Sequence, residues 1–255
     1  MPKVALKVFV TGASGGIGEA LARHYSAQGA QLGLVARRAD FLERLASSLN
    51  PAPAVYALDV RDASALRNAA SDFIARFGVP DIVIANAGVS KGTLTEQQSD
   101  LAVFQQIFDT NVMGMVNTFH PFIAPMRANA AGTLVGIASV AGFRGIPGGG
   151  AYSASKAAAI KYCESLRVEL RDAGISVVTI CPGYIRTPMT DVNRFKMPFI
   201  IPVEDAVVRF ARAIDAKTSF TVIPWTMGIA ARLFRILPNW LYDRLRMPRK
   251  PRQSE

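Results

Sequence analysis

The stretch "VFVTGASGGIGEAL", residues 8–21, decides the fold. A β-branched, apolar run leads into Thr11-Gly12, a turn rich in small residues follows, and an amphipathic pattern opens after Gly16 and Gly18. Missing side chains in such a turn permit a tight bend. They also leave backbone N–H groups at a helix N-terminus facing outward, where the helix dipole favours an anion. A glycine pattern alone is weak evidence, but one that follows a strand and opens a helix is strong.

The same alternation continues outward from this unit. Short β-rich runs fall at 4–10, 31–36, 54–60, 81–88, 132–139, 175–183 and 219–224. Helical patterns fall at 19–29, 40–50, 63–78, 96–127 and 152–174, with Asp40 expected at an N-cap and Gly29, Gly78 and Gly174 as stops. The strands are near-continuous apolar runs, as expected when helices cover both sheet faces. Strands alternating with helices predict βαβ units and a parallel sheet. The expected fold class is α/β: a single-domain, Rossmann-type, doubly wound, seven-stranded parallel sheet over 1–225, with a basic amphipathic extension at 226–255.

A glycine turn of this kind approaches a pyrophosphate, and the end of the second strand then meets the adenine ribose. That end reads "GLVARRAD", residues 33–40. No carboxylate stands where an NAD site commonly has one, and Arg37 and Arg38 follow Ala36. A guanidinium fork suits a 2′-phosphate, so the expectation is NADP(H) over NAD(H). A second stretch, "GIASVAGFRGIPGGGAYSASKAAAI" at 136–160, carries Ser139, Tyr152 and Lys156. Tyr152 and Lys156 are four apart and share one helix face, and a glycine-rich loop is long enough to bring Ser139 beside Tyr152.

With these residues in order, the chain resembles the short-chain dehydrogenase/reductase family over roughly residues 5–225. The resemblance rests on Thr11-Gly12 through Gly18, Asp59, "NAG" at 86–88, Asn111, Ser139, Tyr152, Lys156 and "PG" at 182–183. It implies a nucleotide lying across the C-terminal strand ends. Ser14 and Ile17 would join Gly12, Gly16 and Gly18 around the pyrophosphate. Asp59 and the Val60 backbone would meet the adenine, and Asn86, Ala87 and Gly88 would line its ribose. Thr187 and the Ile185 backbone, following Pro182 and Gly183, would hold the nicotinamide carboxamide. Gly15 departs from NADP enzymes of the family that carry a basic residue there, which leaves phosphate recognition to Arg37 and Arg38.

The resemblance also implies roles in catalysis. Tyr152 would exchange a proton with the substrate oxygen. A free tyrosine has a pKa of about 10, and the Lys156 ammonium is expected to lower it. Lys156 would also bind the nicotinamide ribose, so both residues belong to the cofactor site. Ser139 would hold the substrate oxygen, and Asn111 would hold a water leading from Lys156 to solvent. The expected activity is interconversion of a carbonyl and a secondary alcohol on a bulky lipophilic substrate. The alternatives are a 3-oxoacyl thioester reductase and a non-catalytic NADPH-binding sensor or membrane-surface adaptor. Candidate walls of the substrate pocket are Phe143, Ile146, Met189, Phe195, Met197, Phe199 and Ile200.

Composition narrows the remaining classes. Half of the 255 residues are hydrophobic, enough for one large buried core. The two cysteines, Cys163 and Cys181, lack disulfide-framework or metal-ligand spacing, so they read as core thiols and no metal is expected. The N-terminal apolar run is too short for a signal peptide, and no run reaches the length of a membrane span. The expected location is therefore the cytoplasm. The net charge is +10, of which +6 falls in the last 40 residues. No nucleic-acid recognition motif accompanies that charge. In the tail, Ala230, Leu233, Phe234, Leu237 and Leu241 follow helical spacing, with Arg232 and Arg235 opposite. Such a segment either covers the substrate pocket or a partner subunit, or lies on an anionic membrane surface. A homo-oligomer, dimer or tetramer, is expected on general grounds.

Overall fold

In the computed structural model, which describes residues 5–191 and 196–245, strand β1 (Lys7–Thr11) lies in the interior of the sheet. It pairs in parallel with β2 (Gln31–Ala36) on one side and β4 (Ile82–Ala85) on the other. The remaining strands are β3 (Ala54–Ala57), β5 (Gly132–Ile137), β6 (Ile175–Pro182) and β7 (Phe220–Ile223). All pairings are parallel, in the order β3-β2-β1-β4-β5-β6-β7. Strand order therefore reverses between β1 and β4, and the loops leaving these two strands diverge. That divergence opens a crevice at the C-terminal edge, where open α/β sheets bind ligands.

Alternation along β1 builds both layers. Val8 and Val10 pack with Leu21 and Tyr25 of α1 (Gly16–Ser26), Leu42 of α2 (Ala39–Ser47), and Phe210 and Ile214 of α8 (Val203–Asp215). Phe9 points to the other face, among Phe73 of α3 (Ala63–Phe77) and Phe119 and Phe122 of α5 (Gly114–Ala128). Its ring meets Phe73 edge-on at 5.5 Å and Phe122 at 4.8 Å. These two faces follow directly from the period of two along a strand.

Several boundaries differ from the sequence reading. Helix α1 begins at Gly16, so Gly16 and Gly18 lie in its first turn while Gly12 precedes it. Asp40 is not the N-cap of α2. Arg38 occupies that place without a side-chain cap, and Asp40 sits inside the first turn, paired with Arg44 at 3.3 Å. Asp62 is a cap that the sequence reading missed, accepting from the Ser64 and Ala65 N–H groups at 2.9 Å each. The helical region expected over 96–127 is made of α4 (Asp100–Phe108), a π-helical turn (Asp109–Met113) and α5. Helix α6 (Gly150–Glu169) carries Tyr152 and Lys156, and α7 (Pro188–Asp191) is a single turn after β6. The tail forms α9 (Trp225–Ile236) and α10 (Asn239–Tyr242), with Pro238 immediately before α10. Among the described residues, no helix is long and apolar enough to cross a membrane.

Candidate active site

The crevice between β1 and β4 is a cleft of about 310 Å3 whose floor is the glycine turn. Gly12 has φ +70°, and a Cβ there would lie 2.8 Å from the Ala87 Cα. A Cβ on Gly18 would fall 2.2 Å from the Gly12 carbonyl oxygen. Both contacts are with backbone, so neither position has room for a side chain. Asn86 fastens the turn: its Nδ2 donates to the Thr11 and Gly12 carbonyls at 3.1 and 3.2 Å, and its N–H donates to Thr11 Oγ1 at 3.2 Å. Gly12, Ser14, Gly16 and Ile17 line the cleft on one side. Asp59 and Val60, Asn86 to Gly88, and Thr187 line the rest. The bare backbone at the start of α1 fits the anionic part of a dinucleotide.

Arg37 and Arg38 stand at the β2 end of this cleft and differ in what they hold. Arg38 Nη2 donates to the Ser14 carbonyl at 2.9 Å and to Ser14 Oγ at 3.2 Å, while its guanidinium rests on the Phe41 ring at 4.0 Å. A Cβ on Gly15 would lie 3.5 Å from that same Nη2, so Arg38 places its charge beside the position where Gly15 lacks one. Asp59 is held by Arg61 through Nε and Nη2 at 3.0 and 2.7 Å, which keeps its carboxyl below the usual range.

The glycine-rich loop does return Ser139 to Tyr152, and their hydroxyls are hydrogen-bonded. Ser139 leaves the sheet just past β5 and caps a short 3-10 turn, accepting from the Ala141 N–H at 3.1 Å. One helical turn beyond Tyr152, Lys156 is only 5% exposed, with Nζ donating to the Ile137 carbonyl at 2.9 Å and lying 5.9 Å from the Tyr152 ring centre. Burial pushes the Tyr152 phenol up and the Lys156 ammonium down to about 8. In the protein alone burial is the largest influence on each group, opposed at Tyr152 by the Ser139 hydrogen bond.

Asn111 occupies the π-helical turn, not a regular helix interior. Its Oδ1 accepts from the Val89 N–H at 2.8 Å, and its Nδ2 donates to the Val89 carbonyl and Ser155 Oγ, both at 3.0 Å. It therefore ties the loop after β4 to α6. A Cβ on Gly88 would lie 3.3 Å from Asn111 Oδ1 and 3.6 Å from Lys156 Nζ, so the three converge. The extra residue of a π turn aims a side chain out of helical register, and such turns recur at functional sites.

Six residues expected at the cofactor lie outside the cleft lining: Tyr152, which lines the second cavity instead, the buried Lys156, and four more. Gly18 packs beneath the turn, Pro182 ends β6, Gly183 faces α9 and the Ile185 carbonyl accepts from Thr190 Oγ1 at 2.7 Å. A second cavity, of about 400 Å3, opens on Ser139 and Tyr152. Phe143, Ile146 and Met189 line it as expected, whereas Met197 and Ile200 do not and Phe199 is largely exposed; Phe195 lies outside the described residues. The tail takes the pocket-covering alternative: Met227, Ala230, Ala231 and Phe234 of α9 and Tyr242 of α10 also line the cavity, and Met227, Ala231 and Tyr242 were not among the expected residues. Their helical spacing was visible, but nothing local says which face docks. Cys163 and Cys181 are buried, and burial raises both thiols to about 12.

Comparison with known proteins agrees with this geometry. The model of the short chain dehydrogenase family matches residues 6–197. An oxidoreductase of Myxococcus xanthus is 38% identical over 240 residues, spanning 92% of this chain and 93% of that protein. The Arabidopsis thaliana protein 11-beta-hydroxysteroid dehydrogenase-like 4A is 37% identical over 188 residues, 72% of this chain and 62% of that protein. A solved short-chain dehydrogenase from Streptomyces avermitilis superposes with a TM-score of 0.79 at 25% identity, covering 89% of this chain and 92% of its own. The dinucleotide cleft at the β1–β4 reversal thus has its relatives in one group, and the chain belongs to the short chain dehydrogenase family of oxidoreductases, which act on CH–OH groups with NAD(P)(H).

Proposed function

We propose that the protein is an NADP(H)-dependent reductase of a bulky, lipophilic ketone, working reversibly on the corresponding secondary alcohol. The observation that carries this reading is a largely apolar second cavity that opens on the hydrogen-bonded Ser139–Tyr152 pair. The nucleotide cleft, lined by Arg37 and Arg38, is its neighbour across Met189, which lines both. When bound, the nicotinamide supplies the hydride chemistry. Ser139 donates to the substrate oxygen and orients it toward Tyr152. In reduction the Tyr152 phenol, kept protonated by burial, gives its proton to that oxygen; in oxidation it takes the proton back. Lys156, anchored on Ile137, places its ammonium beside the Tyr152 ring and stabilises the phenolate left behind. Asn111 holds Gly88 and Val89 in place next to Lys156.

The apolar second cavity favours a steroid- or lipid-like substrate over a small polar one, in keeping with the name of the hydroxysteroid dehydrogenase-like relative. Arg37 is assigned to the 2′-phosphate, and Arg38 to the phosphate and the glycine turn together. The cytoplasm suits the free, buried thiols. The chain is assigned a homo-oligomeric state through α4, which exposes Leu101 and Phe104. The outer face of α9–α10 is assigned a peripheral contact with an anionic bilayer, because Trp225, Ile229, Leu233 and Trp240 are exposed there beside Arg232 and Arg235.

NADPH consumption by the purified protein tests the central reading. The panel runs from 3-oxoacyl thioesters to steroid and long-chain ketones, with NADH in parallel and Tyr152→Phe as control. Turnover that is fastest on a bulky ketone, and that falls at least about a hundredfold in Tyr152→Phe, is expected. Fastest turnover on a thioester favours the 3-oxoacyl reading. Tight NADPH binding with no turnover on any ketone sinks the reductase reading in favour of a sensor.

A further inference from the structure

We propose that Arg144 is a specificity-determining positioning residue that holds the α9–α10 hairpin as the roof of the substrate cavity. It stands five residues after Ser139, in the loop that also carries Phe143. Phe143 turns inward and stacks on Phe220 of β7 at 6.0 Å, which fixes the base of the loop. Arg144 turns the other way, toward the tail. Its Nη1 donates to the carbonyls of Phe234, Arg235 and Leu237 at 3.1, 3.2 and 2.8 Å, and its Nη2 donates to Asn239 Oδ1 at 2.9 Å. The guanidinium also lies over the Tyr242 ring at 4.1 Å, and the Tyr242 hydroxyl donates to the Gly145 carbonyl.

These bonds answer a specific deficit. The last carbonyls of a helix have no partner within it, and the helix C-terminus carries partial negative charge. At α9 a single cation meets both needs and continues into α10. The hairpin has little else on its outer side, where Leu233 and Ile236 are 58% and 77% exposed. Its inner side, with Met227, Ala230 and Phe234, walls the cavity above Ser139 and Tyr152. One side chain therefore couples the loop that bears the substrate-oxygen donor to the wall that contacts the rest of the substrate. A bulky ketone needs that wall in place, and a compact one touches it little. Only a planar fork spans the three carbonyls, Asn239 and the Tyr242 ring together; an ammonium reaches a subset.

The inference rests on the reductase reading, so the experiment has one arm that depends on turnover and one that does not. For wild type, Arg144→Ala, Arg144→Lys and Asn239→Ala, kcat/KM is measured with cyclohexanone and with a steroid 3-ketone. Hydrogen exchange of residues 225–245 is followed in the same proteins. Arg144→Ala is expected to lower kcat/KM for the steroid about tenfold more than for cyclohexanone, chiefly through KM, and to speed exchange across 232–242 at least about tenfold. Arg144→Lys should recover part of both effects, and Asn239→Ala should show a smaller shift in the same direction even if Arg144→Ala fails to fold. Parallel losses on both ketones, or exchange unchanged by Arg144→Ala and Asn239→Ala, would overturn the proposal. A wild-type protein that reduces neither ketone overturns the reductase reading instead, and the exchange arm still decides whether Arg144 holds the roof.

Discussion

At the scale of single residues, Lys156 has opposite consequences for function and for stability. Its pKa is lowered to about 8 because the ammonium is buried. The folded protein therefore releases a proton that the unfolded chain keeps until pH about 10.4. Across that window stability rises with pH; below about 8 the full burial cost, about 3 kcal/mol, is present. Lys156→Met is expected to abolish turnover yet raise Tm at pH 7, with the gap to wild type narrowing toward pH 10 in a series of melts. In the wild type, kcat/KM for NADPH is expected to fall above pH about 8 as Lys156 loses its charge; a profile flat to pH 10 refutes that role. The two arginines separate in the same way. Arg37→Ala should reduce the preference for NADPH over NADH about tenfold. Arg38→Ala should weaken both nucleotides, because Arg38 also holds Ser14.

At the scale of elements, the glycine turn and the π-helical turn act as devices of close approach. Gly18→Ala forces a Cβ against the Gly12 carbonyl and is expected to destabilise by about 1–3 kcal/mol. Gly150→Ala, at the start of α6 with open space around it, is expected to be neutral or slightly stabilising in the same denaturation series. Equal losses at the two positions would show that the turn is looser than the geometry requires. The strand–turn–helix identity of this unit was legible in the sequence, because small residues between an apolar run and an amphipathic pattern admit few other folds. The π turn was not. Asn111 gives no local sign that the helix gains a residue there; the extra residue is stabilised by partners on the β4 loop and α6, 22 and 44 residues away.

At the scale of the whole molecule, charge and apolar surface meet in the tail. The outer face of α9–α10 is expected to bind vesicles containing phosphatidylglycerol at low salt, and pure phosphatidylcholine vesicles far less. Leu233→Glu with Ile229→Glu should abolish co-sedimentation. Loss of a dimer in these variants, without any vesicle binding by wild type, would assign the face to a second copy instead. By itself the sequence determined the order of strands and helices, the parallel sheet, and the glycine turn and Tyr152–Lys156 face, since each rests on spacing within a few turns of chain. Only the tertiary structure decided that burial raises Tyr152 and lowers Lys156, that Arg38 fastens the glycine turn, and that the tail roofs the second cavity. Those outcomes depend on which distant surfaces exclude water from one another, and local spacing carries no record of that.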